Sequence, residues 1–145
     1  MTPVRTQGVL VAEILIGALI LLLLAGIVWI MSRPPDLGVV RDAERRHHLE
    51  LISGAIYQYA IRNGGAFPES VPEGQPKELC RSDVPCNGGV DLSEVVGSGS
   101  TIDTVPVDPQ ATGTGSDYTI ALVGKKIVVC APNTEKSAEM ICLAR

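Results

Sequence analysis

Aromatic side chains are scarce. The 145 residues hold one Phe, one Trp and three Tyr, so any packed core must be aliphatic and modest. Only two histidines are present, and they are neighbours, His47 and His48. No Ser/His/Asp set, paired catalytic carboxylates or phosphate loop can be assembled with them, so no catalytic residue is expected. Adjacent residues do not share a helix face. His47 and His48 therefore read as helix-face residues, one of them packed at a sheet edge, rather than as metal ligands or a pH sensor. Basic runs are missing too: 12 Lys and Arg stand against 16 Asp and Glu, a formal net charge of −4. Nucleic-acid binding has no electrostatic footprint, and no nucleic-acid partner is expected. The densest basic stretch, Arg41, Arg45 and Arg46, is interleaved with Asp42, Glu44 and Glu50 and reads as a solvated helix face. C-x-x-C spacing is absent, which argues against zinc.

The apolar share is 46%, and it is unevenly spread. Residues 9–31 form a 23-residue run with a single charge, Glu13. As a helix this run spans roughly 35 Å, enough to cross a ~30 Å hydrocarbon core with some tilt. Trp29 suits the far interface, and Arg33, Pro34 and Pro35 close the segment. The run is too long for a removable secretory signal, and no small-x-small cleavage site follows it. A carboxylate at the bilayer centre costs about 2.5–3.5 kcal/mol on insertion scales, and less near an end. Glu13 is either a tolerated interfacial charge or a group that needs a positive partner the bare membrane does not supply.

Four cysteines, Cys80, Cys86, Cys130 and Cys142, lie beyond this segment. An even count in a small domain of ~110 residues points to disulfides and an oxidising compartment. Of three pairings, Cys80–Cys86 with Cys130–Cys142 is expected, because each pair brackets a turn-rich piece. Charge alone does not orient the span, since Arg5 and Arg33 offset each other. The cysteines place the C-terminal part outside the cytoplasm.

Pro34 and Pro35 interrupt any helix, and Asp36 can cap a new one. From Leu37 to Arg62 an apolar stripe of Leu49, Ile52, Ile56 and Tyr59 predicts a helix. Asn63-Gly64-Gly65 stops it. Residues 66–100 read as irregular, with a helical turn over Asp91–Val96. Tyr118–Val123, a Gly124-Lys125 turn and Lys126–Ala131 read as a hairpin, with Met140–Ala144 as a third strand. Cys130–Cys142 would tie the last two strands; closing a loop of about 13 residues gives roughly 3 kcal/mol. The helix stripe would cover one sheet face, an α+β arrangement. Asp103, Asp108 and Asp117, near a Gly-rich loop, are weak calcium candidates, although turn formation explains the same residues. No other cofactor is expected.

The N-terminus resembles type IV pilins and type II secretion pseudopilins. Gly8, then Val9-Leu10-Val11-Ala12-Glu13, then the apolar run carry the resemblance. Asn63-Gly64-Gly65-Ala66-Phe67-Pro68 and Val105-Pro106-Val107-Asp108-Pro109 support it, and some pseudopilins bind calcium in the loop that follows. The resemblance implies cleavage after Gly8 by a prepilin peptidase, methylation of the new terminus at Val9, and Glu13 as the assembly carboxylate. It implies a pilin-like fold: a leader at 1–8, a transmembrane and filament-core helix at 9–33, an amphipathic helix at 34–65, and loops with a terminal antiparallel sheet at 66–145. It implies a structural subunit, major or minor, of a pilus-like filament, and not an enzyme. Its partners would be related pilin subunits, an inner-membrane assembly platform and membrane lipid before assembly. The chain would start as a single-pass inner-membrane protein and end in a surface or periplasmic filament. The other reading is a single-pass anchored domain that binds a ligand or partner protein.

Overall fold

The computed structural model describes residues 5–97 and 99–145. Residues 1–4, half of the expected leader, lie outside the described residues. The chain divides after Pro35 into two units, Met1–Pro35 and Asp36–Arg145.

The first unit is one helix, α1 (Arg5–Met31), of 27 residues and about 40 Å in length. It starts before Gly8, so the expected boundary between leader and span is not a boundary of the helix. Its end is set by Ser32, whose amide and hydroxyl both donate to the Val28 carbonyl, at 2.9 and 2.7 Å. Pro34 and Pro35 then supply no donors. From Val11 to Met31 α1 is long and apolar enough to cross a membrane.

The second unit begins with α2 (Leu37–Arg62). Asp36 is its N-cap, and its carboxylate accepts from the Gly38 amide at 3.0 Å. At the other end the Gly65 amide closes onto the Ala60 carbonyl at 2.7 Å. Gly64 and Gly65 hold φ of 65° and 94° there, a region open to glycine. Both ends match the signals in the sequence.

The sheet has four antiparallel strands in the order β1-β2-β3-β4. They are β1 (Lys77–Cys80), β2 (Gly115–Val123), β3 (Lys126–Ala131) and β4 (Ile141–Ala144). β2 and β3 are the expected hairpin, with Val123 opposite Lys126 across Gly124-Lys125. Gly124 at φ 66° takes the first central position of a tight turn, where glycine is the easy residue. β1 was not expected: Lys-Glu-Leu-Cys is too short and too charged to show a pattern. It pairs through an irregularity between Glu78 and Cys80. A Cβ on Gly115 would collide with the Glu78 carboxylate there.

The core is aliphatic apart from Tyr118. Leu49, Ile52 and Ile56 of α2 are buried with Ile120, Ile127 and Val129 of the sheet. The irregular stretch adds its own plugs, Val90, Leu92 and Val95, all buried. The turn over Asp91–Val96 is present, with Val95 and Val96 amides on the Leu92 carbonyl at 2.8 and 3.1 Å. Both disulfides have the sequence-local pairing, Cys80–Cys86 and Cys130–Cys142.

Candidate functional site

Gly8 and Val9 lie on the first turns of α1, and Glu13 follows one turn later, about 6 Å along the axis from Val9. From Val11 to Met31 every side chain of α1 is exposed, Glu13 and Trp29 included. Glu13 makes no ion pair among the described residues. A helix so apolar on all sides requires either lipid or other helices around it.

α2 reverses an expectation. The Arg41–Glu50 stretch is only in part a solvated charged face: Glu44, Arg46 and Glu50 are exposed, but Arg45 and Asp42 are 0% and 2% exposed. Arg45 uses its whole donor set. Its Nε and Nη2 grip Asp108 at 2.6 and 3.0 Å; Nη1 reaches Asp42 at 2.7 Å and Glu135 at 3.5 Å; Nη2 also reaches Gln110 at 2.9 Å. A planar fork with five N–H groups suits such a site, and lysine would not. Asp42 in turn accepts from the amides of Glu135, at 3.1 Å, and Lys136, at 2.9 Å. Arg41 pairs with Glu135, and Lys136 reaches Asp36 at 2.7 Å. The first turns of α2 are thereby tied to the loop before β2 and to the loop between β3 and β4.

The titration behaviour follows from this geometry. Burial alone would push the Asp42 carboxyl up, but the two amides and the Arg45 guanidinium outweigh it and hold it at about 2. The bond to Asp108, helped by Asp42, raises the Arg45 guanidinium against its burial. Beside the network, His48 Nδ1 lies 2.8 Å from the Tyr118 hydroxyl, which is fully buried. Burial lowers the His48 pKa and raises that of Tyr118. His48 is the histidine packed against the sheet; His47 is exposed.

The same network takes up one of the calcium candidates. Asp108 is buried, and both its oxygens are committed to Arg45. Asp103 is exposed. Asp117 sits at φ 61° with its side chain on Asn133 at 3.3 Å. Among the described residues no group of three or more His, Cys, Asp or Glu is placed to hold a metal.

With Asp42 and Arg45 turned inward, α2 leaves several apolar side chains on its outer side. At 100° per residue, the exposed positions opposite Arg45, Leu49 and Ile56 include Val40, Ala43 and Ile61. Val40 and Ile61 are 50% and 66% exposed, and Val39 and Tyr57 flank them on the open side. Glu44, His47, Glu50, Gln58 and Arg62 are exposed around and between them, so the apolar positions fall in two groups, near the start and the end of α2. Sequence reasoning missed both features. Asp42 and Arg45 at i, i+3 were a visible local pair, but Asp108 and Glu135 lie 63 and 90 residues from Arg45. No model of a known family, no characterised protein and no solved structure matches this chain.

Proposed function

We propose that this chain is a structural subunit, major or minor, of a type IV pilus-like filament. The observation that carries the reading is Glu13, the only charge in the run 9–31, set five residues after Gly8. A prepilin peptidase cuts after Gly8, and the new Val9 amine is methylated. The chain first resides in the inner membrane as a single pass, with the stapled unit outside the cytoplasm. An assembly platform then moves it into a filament at the surface or in the periplasm, where α1 exchanges lipid for the helices of related subunits. There a neighbour's terminal amine meets Glu13. At ~4 Å and an effective dielectric near 20 such a pair is worth about 4 kcal/mol before desolvation. Desolvation consumes much of that, so the pair acts chiefly on register.

The outer face of α2 supports a subunit over a monomeric anchored domain. Val39, Val40, Tyr57 and Ile61 stay open on α2, apolar side chains that a neighbouring subunit would cover. The two disulfides fit a domain that works in an oxidising compartment. The role is structural, not enzymatic.

Intact-mass analysis of the chain from cells containing prepilin peptidase tests this directly. A methylated chain starting at Val9 is expected; an uncut chain, or a cut near residue 31, rejects it. Glu13→Ala is expected to insert normally and fail to assemble. A normal filament yield from that variant removes the role of Glu13.

A further inference from the structure

The two edges of the sheet are treated differently. The outer edge of β1 is blocked: the Cys80 amide donates to the Val90 carbonyl at 2.9 Å, and the Val90 amide to the Glu78 carbonyl at 2.8 Å. Among the described residues β4 has no such cover. Arg145 and Ile127 exchange both backbone bonds, at 2.8 and 2.9 Å. By alternation Leu143 and Ile141 also face β3, which leaves the N–H and C=O groups of Cys142 and Ala144 pointing away from the sheet. An open edge is a template for another strand. A groove of about 180 Å³ runs beside it, lined by Leu49, Ile141 and Leu143 with Arg46 and Glu50 at its rim.

We propose that this edge pairs antiparallel with the same edge of a second copy, with Cys142 opposite its counterpart. The charges around the edge select that partner and register. Glu139 and Arg145 are exposed, and neither side chain has an ion-pair partner among the described residues. They stand three residues to either side of Cys142. Once pairing extends β4 back through the bend at Ala138-Glu139, an antiparallel pair centred on Cys142 sets Glu139 opposite the second copy's Arg145, and the reverse pairing occurs at the other end. Met140 faces the second copy's Ala144, and Ile141 faces its Leu143, so apolar meets apolar on both faces. The grooves beside β4 receive the Leu143 side chains, and two four-stranded sheets become one of eight. This pairing uses no residue of α1, so it stands apart from the filament reading.

The test is sedimentation of the full chain in detergent micelles. Ala144→Pro removes only an outward donor, a change edge strands tolerate, and it is expected to raise the dimer Kd at least about tenfold. Glu139→Lys and Arg145→Glu, which touch no backbone bond, are each expected to weaken the dimer about fivefold. The double reversal is expected to restore it, because both ion pairs re-form with opposite sense. A monomeric wild-type chain overturns the proposal and leaves the edge to a different protein. So does an association that Ala144→Pro leaves unchanged, which belongs to the helices instead. Charge reversals without effect, or a double reversal that fails to recover, overturn the register.

Discussion

The two halves of α2 are held to the rest of the domain by opposite means, the first to loops and the second to the sheet. From Asp36 to Arg45 the inward contacts are ionic, and from Leu49 to Ala60 they are aliphatic. The aliphatic half draws on burial alone, which is favourable and indifferent to exact partners. The ionic half gains less, because desolvation offsets attraction. What it adds is specificity: one guanidinium accepts only the arrangement in which Asp42, Asp108, Gln110 and Glu135 converge. Apart from Asp42, which is on α2 itself, those partners come from two loops that have little regular structure of their own. The difference teaches that the start of α2 is positioned by charge and its end is stabilised by packing.

The most severe way to break the comparison is Arg45→Ala. It leaves Asp42 and Asp108 buried without their cation, and a loss of about 4 kcal/mol is expected. Chemical unfolding of the full chain in micelles measures it; a loss under about 1 kcal/mol would mean that water replaces the guanidinium. Ile56→Ala probes the aliphatic half and is expected to remove about 3 kcal/mol. That loss should be independent of pH, whereas the ionic half should respond to acid. Asp42 has its folded pKa depressed from 3.8 to about 2. Its contribution is complete above the unfolded value and disappears as pH falls through the folded one. Stability should therefore drop by about 2 kcal/mol between pH ~4 and ~2, and Asp42→Asn should flatten that slope. The smallest effect on folding is expected from Val40→Ser with Ile61→Ser on the outer face, within about 0.5 kcal/mol per site. The same pair should reduce filament yield, seen by electron microscopy. Unchanged filaments would show that these two positions have no partner.

Much of the architecture could be read from residues in order. Glycine and proline punctuation marked both ends of α2, and the β2–β3 hairpin announced itself through β-branched runs around Gly124-Lys125. The disulfide pairing followed from proximity along the chain. β1 escaped because four residues with two charges carry no period; β2 recruits them through backbone bonds that any side chain permits. The inward turn of Arg45 escaped for a different reason. Alternating charges on a helix suggest solvent, and only residues 63 and 90 positions away reveal that this arginine has buried partners.

By itself the sequence determined the local features: an apolar run with one carboxylate at a set distance from Gly8, the break at Pro34-Pro35, the caps of α2 and the hairpin. These depend on neighbours within a few residues, where sterics and backbone hydrogen bonds leave few choices. Tertiary structure alone decided that Asp42 and Arg45 turn inward on α2, that Asp108 clamps Arg45, and that β4 keeps an open edge. Each of those outcomes is a competition for partners between distant segments, and its energy exists only once the chain has brought them together.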